Sequence, residues 1–142
     1  MKTIKMDVGI KEYKIGEGGV LMFNPTDPNV YERFGEALKN VQKIEDDMVA
    51  IGQKQDVDGF DVLKVMADTD KRIKEELNHV FGMGNDFNKI LCGVNVLAVA
   101  SNGERVITNL LAALSPIVED GIKECAAVEA KNVKANRVGS EK

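Results

Sequence analysis

Apolar residues recur at spacings of three and four over most of the chain after residue 27. On the first such segment, to about Gln53, they form the single stripe of an amphipathic helix, made of Tyr31, Phe34, Leu38, Val41, Ile44, Met48 and Ile51. A second segment, from about Phe60 to Val80, repeats this spacing, with Asp70 interrupting the stripe. The connection over 54–59 is short and polar, which predicts that the two helices form an antiparallel hairpin.

The segment after the second helix is less regular. Gly82 and Gly84 predict the end of that helix, because glycine accepts left-handed backbone conformations. A short helix from Asp86 to Leu91 is expected next. Residues 93–100 are mostly apolar, and such a run fits a buried strand and a buried helix equally well.

A last long helix is predicted to start near Glu104, after a turn at Asn102 and Gly103. Pro116 lies inside it and predicts a kink or a break, because proline lacks the amide proton of the helical hydrogen bond. From about residue 131 the chain is polar and charged. We therefore expect a frayed tail over 131–142.

The first 23 residues have the two-residue period of strands. Apolar side chains stand at 4, 6, 8 and 10, and the alternation continues over 12–15. The glycines of 16–19 predict a tight turn, and 20–23 form a third apolar stretch. This pattern predicts an antiparallel hairpin or meander, which needs cover from the helices because isolated hairpins are marginally stable.

The boundary between the two parts lies at 24–28. Asp27 can cap a helix and Pro28 suits its first position. The chain of 142 residues has the size of one domain. The prediction is one mostly helical α+β domain, in which a β-hairpin or meander over 1–23 precedes a bundle of long amphipathic helices over 27–130.

Composition narrows the classes of function. The longest apolar run is far shorter than the roughly 20 residues of a membrane span, and no apolar stretch typical of a secretory signal follows Met1 and Lys2. The formal net charge of −4 disfavours binding to nucleic-acid phosphates. Two cysteines without a secretory signal indicate a reducing, cytoplasmic setting.

Few residues have the chemistry of a catalytic or metal site. His79 is the only histidine, and Cys92 and Cys125 have no spacing typical of zinc ligands. We expect both cysteines in the core and His79 near a helix C-terminus, where its partial charge favours the helix dipole. The sequence thus predicts no catalytic, cofactor or metal site, with a small-molecule-binding module or cysteine-dependent enzyme as the least favoured alternative.

The apolar stripe of the first helix has two interpretations. It could pack within the chain, as one side of the helix hairpin. It could also form a seam with a second copy or a partner helix, because its spacing suits knobs-into-holes packing. The residues of this candidate interaction or core seam are Tyr31, Phe34, Leu38, Val41, Met48 and Ile51.

Two groups of short motifs resemble a family of uncharacterised proteins from phage and prophage tail-gene regions. The first group is 23–29 with 31–34, and the second comprises 81–84, 87–90, Asn95, 102–104 and 116–118. By size and helical content this family is similar to siphophage tail assembly chaperones. The residues that carry the resemblance have the character of turns and caps; they are Asn24, Pro25, Asp27, Pro28, Gly82, Asn102 and Gly103.

The resemblance implies a non-enzymatic assembly protein in the cytoplasm of a bacterial host. Such chaperones coat the tape measure protein until the tail tube polymerises around it. The implied partners are the tape measure protein or other tail proteins and further copies of the same chain, without a cofactor, nucleic acid or membrane. The alternatives are a virion subunit or an inhibitor of host defence.

Overall fold

A computed structural model of the chain describes residues 1–53, 58–82 and 84–140, with the backbone alone over 134–140. Within these ranges a β-hairpin precedes the helices, which confirms the predicted α+β, mostly helical class. In chain order the elements are β1 (Lys11–Ile15), β2 (Gly19–Phe23), α1 (Pro28–Gly52), α2 (Gly59–Phe81), α3 (Phe87–Ile90) and α4 (Val106–Ser140).

The hairpin places one face of β2 in the core. β1 and β2 are antiparallel, and Tyr13 stands opposite Leu21. Leu21 and Phe23 are fully buried, whereas Tyr13 and Ile15 on the same face of β1 are half-buried and pack against the core. The alternation of buried and exposed positions therefore follows the two-residue period of a sheet with one covered face.

The strand predicted from the apolar positions 4, 6, 8 and 10 is wrong, because this segment pairs with no strand among the described residues. Residues 1–10 form no regular secondary structure, and Ile4 is 89% exposed. Gly9 has a φ of +73°, and the side-chain amide of Asn24 donates a 2.8 Å hydrogen bond to the carbonyl of Val8. An alternating pattern shows only that one face could be buried; it supplies no partner for the backbone.

Both long helices of the hairpin start at aspartate caps. The carboxylate of Asp27 accepts a 3.0 Å hydrogen bond from the amide of Asn29, and Pro28 occupies the first turn of α1. Asp58 accepts likewise from the amide of Phe60, at 3.4 Å. Each cap satisfies an amide that the first helical turn leaves without a partner.

α1 and α2 run antiparallel. Arg33 Nε donates to the carbonyl of Val80 at 2.9 Å, and Asn40 Nδ2 donates to Glu76 Oε2 at 3.1 Å. The start of α1 therefore lies beside the end of α2, and later residues of α1 lie beside earlier residues of α2. This is the arrangement of the predicted antiparallel hairpin. Most of the predicted connection, residues 54–57, lies outside the described residues, as does Met83 of the second family motif.

Residues 93–100 form neither a strand nor a helix. They run through turns to an isolated bridge between Val99 and Arg105, and Val96 and Leu97 are buried. The amide of Val96 donates to Asp70 Oδ1 at 2.8 Å. Asp70, the polar residue within the α2 stripe, therefore supplies a hydrogen-bond acceptor to the backbone of this irregular segment.

Asp70 also forms a buried ion pair. Its Oδ2 lies 3.0 Å from Lys74 Nζ, and the two side chains are only 14% and 6% exposed. Lys74 Nζ donates a second hydrogen bond, at 2.8 Å, to Asn88 Oδ1 on α3. This network joins α2, α3 and the segment around Val96.

We expect Asp70→Ala to lower the free energy of unfolding by about 3–5 kcal/mol, because it leaves the ammonium of Lys74 buried without its counter-charge. Urea denaturation measures this change. The matched control is Asp68→Ala at an exposed position of the same helix, which should change stability by less than about 0.5 kcal/mol. Equal effects of the two substitutions would contradict a structural role for the ion pair.

α4 is one continuous helix from Val106 to Ser140, with Pro116 inside it. The predicted break is absent because Leu114 and Val118, one on each side of the proline, are both buried in the core. α4 includes residues 131–140 of the predicted tail, and the final two residues lie outside the described part. Extending a helix that is already formed avoids the unfavourable nucleation step.

α4 packs closely against the turn that precedes α1. A Cβ atom added at Gly121 would lie 1.7 Å from the carbonyl oxygen of Pro25. Only glycine permits this approach, and the helix would have to move away to accommodate any side chain. From 126 to 133, beyond this contact, every side chain of α4 is exposed.

Gly121→Ala should therefore lower the free energy of unfolding by about 1–3 kcal/mol, through overpacking against Pro25. Gly35→Ala is the control, because Gly35 lies in α1 with no atom within 4 Å of an added Cβ. This control should stabilise the protein by about 0.5–1 kcal/mol, since alanine favours the helix. Thermal or urea denaturation compares the two, and stabilisation by both would contradict the close contact.

Candidate interaction surfaces

The apolar stripe of α1 is used mainly within the chain. Phe34 and Val41 are buried, and Tyr31 and Met48 are partly buried against the core. Leu38 and Ile51 are more open, with 39% and 36% of their surface exposed. The intramolecular interpretation therefore accounts for most of the stripe, and only Leu38 and Ile51 have much surface left for another chain.

This difference along one helix predicts unequal effects of truncation. Phe34→Ala should cost about 3–5 kcal/mol of stability, because it leaves a cavity in the core. Leu38→Ala should cost about 1 kcal/mol, since much of its side chain is already in water. Chemical denaturation of both variants tests this order, and a larger loss for Leu38→Ala would contradict the packing described above.

Exposed apolar residues gather where α1 ends and α2 begins. Phe60 and Leu63, the first two positions of the predicted α2 stripe, are 80% and 63% exposed. Three further exposed apolar side chains accompany them, and we name the set of five the tip surface: Val49, Ile51, Phe60, Val62 and Leu63. Clustered apolar exposure of this kind is typical of interaction sites.

A shallow groove of about 220 Å³ connects the two helices within this region. Met48 and Met66 contribute flexible side chains to its lining, and Arg105 contributes a positive charge. The remaining lining residues are Val49, Ile51, Gly52, Val62 and Val65. The groove thus combines an apolar floor with one cation, which suits a partner with an apolar face and a nearby carboxylate.

A second apolar groove, which we name the β1–α4 groove, separates the first strand from the last helix. Its volume is about 340 Å³. β1 contributes Tyr13, Lys14 and Ile15 to its walls, and the facing residues are Leu91, Val106, Asn109, Leu110, Ala113, Leu114 and Ile117. One side of this groove is therefore a strand edge and the other is an apolar helix face.

The residues with potential catalytic chemistry lie on three different elements. Cys92 is exposed, which corrects its expected core position; it follows α3 in a turn with a φ of +58° and packs over Gly18. Cys125 on α4 is half-buried, and His79 lies in the last turn of α2. Within the described ranges, no three His, Cys, Asp or Glu residues are grouped as metal ligands would be.

Tyr31 has the one side-chain pKa that is clearly shifted within the described chain. Burial raises the pKa of its phenol, and the nearby Cys125, Asp27 and Glu124 raise it further by disfavouring the phenolate. The hydroxyl oxygen is buried without a hydrogen-bond partner among the described protein atoms. These neighbours place the first turn of α1 against α4, beside the contact of Gly121.

The residues that carry the family resemblance form turns and caps. Asn24 Oδ1 accepts hydrogen bonds from the amide and the hydroxyl of Thr26, and the carbonyl of Pro25 meets α4. Asp27 and Pro28 begin α1, and Gly82 caps α2 with a φ of +58°. Asn102 accepts from the amide of Glu104, and Gly103 has a φ of +85°. None of these roles requires a ligand.

Comparison of the chain with models of protein families, with curated proteins and with solved structures gives no match. No helix among the described residues combines the length and the apolar character needed to cross a membrane. The functional argument therefore depends on the two surfaces of the chain itself, the tip surface and the β1–α4 groove.

Proposed function

We propose that this chain is a phage tail assembly protein similar to tail assembly chaperones, acting without catalysis or a cofactor in the bacterial cytoplasm. In this role it binds the tape measure protein through helical surfaces and associates with itself. The motif resemblance motivates the choice of system, and the tip surface supports binding to another protein chain.

The observation that carries the proposal is the exposed tip surface. Phe60 belongs by its spacing to the α2 stripe, whose later members Ile73, Leu77 and Val80 are fully buried. At Phe60 and Leu63 the same stripe is open to water. Burying one such side chain contributes about 1.5–3 kcal/mol, so the tip surface favours a partner that covers it.

The chemistry of the tip surface fits an amphipathic helix. Apolar residues of a partner helix at positions i, i+3 or i+4 and i+7 could cover Phe60 and Leu63. Further residues of that helix could enter the groove between α1 and α2, which Val49, Ile51 and Val62 of the tip surface line. Met48 and Met66 can adjust their conformations to different side chains, and Arg105 can pair with a carboxylate of the partner. A tape measure protein is a long helical chain, so it presents such faces repeatedly.

Co-expression tests the proposal. The tape measure protein encoded in the same gene neighbourhood should co-purify with the wild-type chain. The double variant Phe60→Ser/Leu63→Ser should reduce the recovered complex at least about tenfold, because it removes two of the apolar anchors. Pull-down followed by light scattering measures the amount and the mass of the complex.

The matched control is Val128→Ser, which changes an exposed apolar residue of α4 outside the tip surface. It should leave the complex unchanged. All of the substituted side chains are exposed, so circular dichroism should show the wild-type helical content in each variant. Absence of a complex with the wild-type chain, or equal recovery with the tip variant, would overturn the proposal.

A further inference from the structure

We propose that residues 2–8 of one copy of this chain bind in the β1–α4 groove of a second copy, as a third strand along the free edge of β1. This inference goes beyond binding to a tape measure protein, since it assigns the surface through which the chain associates with itself. It depends on the hairpin, the groove and the first ten residues, and not on the tip surface.

The two edges of the hairpin differ. At the edge of β2, the side-chain amide of Asn85 pairs with both backbone groups of Met22: Oδ1 accepts from its amide at 3.0 Å and Nδ2 donates to its carbonyl at 2.7 Å. Further along β2, an added Cβ at Gly19 would lie 2.6 Å from the Cα of Ile90. The edge of β2 is therefore already covered.

The edge of β1 is free. Glu12 stands opposite Met22, and Lys14 stands opposite Val20. Because the backbone groups of Met22 point away from β1, those of Glu12 and Lys14 point away from β2 in the antiparallel ladder. β2 is the only strand paired with β1 among the described residues. A strand edge of this kind is a template for another extended segment.

The β1–α4 groove lies beside this free edge and continues the core-facing side of the hairpin. Tyr13 and Ile15 share a face with the buried Leu21, and the same groove is lined by Leu110, Leu114 and Ile117 of α4. A strand paired to β1 would thus direct every second side chain into an apolar space of about 340 Å³.

Residues 2–8 have the pattern that such a site requires. Ile4, Met6 and Val8 stand at every second position and are exposed, although the two-residue period is that of a strand with one buried face. Thr3, Lys5 and Asp7 form the opposite, polar face. Among the described residues, this exposed segment has the apolar alternation of a strand but pairs with no other strand.

The contacts at Val8 and Gly9, the base of this segment, favour binding to the β1–α4 groove of a second copy rather than to that of the same chain. The carbonyl of Val8 accepts from Asn24, which follows β2, so residue 8 is held beside the last residue of that strand. An added Cβ at Gly9 would lie 2.6 Å from Asn24 Nδ2. This contact and the φ of +73° at Gly9 hold the base of the segment beside Asn24, at the end of β2.

Length and charge also match. Seven extended residues span about 23 Å, and α4 from Val106 to Glu124 spans about 27 Å. The groove continues at the Lys11 end of β1 into a site bordered by Asp120 and Glu124. Two carboxylates against the single ammonium of Lys11 favour Lys2, which shares the groove-facing side of the segment, at that end, so the added strand would run parallel to β1.

The first test is the solution mass of the protein alone. Light scattering of the wild type should give at least twice 15.5 kDa. Ile4→Asp should weaken this association at least about tenfold, because it places a charge in the apolar groove. Thr3→Asp introduces the same charge on the polar face of the same segment and should leave association unchanged.

A second variant acts on the receiving edge. Lys14→Pro removes the outward amide of β1 without removing a hydrogen bond to β2, and proline is tolerated at such an edge. It should abolish association while circular dichroism shows the wild-type helical content. A monomeric wild type at the highest soluble concentration, or an oligomer unchanged by both Lys14→Pro and Ile4→Asp, would overturn the proposal.

Zero-length carbodiimide crosslinking identifies the contact directly. In an equal mixture of heavy-isotope-labelled and unlabelled protein, crosslinks from Lys2 to Asp120 or Glu124 should join labelled to unlabelled peptides. Crosslinks confined to one isotope would show that the segment covers its own groove and would overturn exchange between copies. A failure of this test leaves the tape-measure assay unaffected, because the tip variants alter neither the segment nor the groove.

Discussion

The ring of Phe81 is the contact on which the arrangement of the elements depends. It lies 4.7 Å from the ring of Phe23 on β2, 5.7 Å from Phe87 on α3 and 6.4 Å from Phe34 on α1, measured between ring centroids. A two-stranded hairpin is marginally stable by itself, and α3 has only four residues. Both elements are therefore held in place by packing against the end of α2, and aromatic pairs of this kind add stability beyond their buried area.

The core is concentrated at this end of the molecule, and its position decides which surfaces remain open. α2 is buried at Leu77, Val80 and Phe81 but exposed at Phe60 and Leu63, near its start. The helix hairpin thus extends beyond the core that Phe81 organises. In the same way, the edge of β2 is covered, whereas the edge of β1 is open. A groove separates β1 from α4 there. Both candidate surfaces arise because the helices and strands are longer than the core that covers them.

Local chemistry determined the elements that the sequence predicted well. The three- and four-residue spacing identified α1 and α2, and Asp27 with Pro28 identified the start of α1. Asp70 was visible only as an interruption of a stripe, because its partners lie 4 and 26 residues further along the chain at Lys74 and Val96. The tip surface was equally hidden, since a stripe gives no information on how far along a helix the covering element reaches.

The sequence by itself determined the helical and extended periodicity, the caps and turns, and the mostly helical class, because these depend on interactions over a few residues. Only the tertiary structure decided that residues 3–10 pair with no strand in the described part of the chain, that α4 continues through Pro116, and which part of each apolar stripe is buried. The physical reason is the same in each case: an apolar face can be read from spacing, but its burial depends on an element that is distant in the sequence. For this reason the sequence alone could not show that the edge of β1 is free, or that the alternating apolar residues before it are exposed.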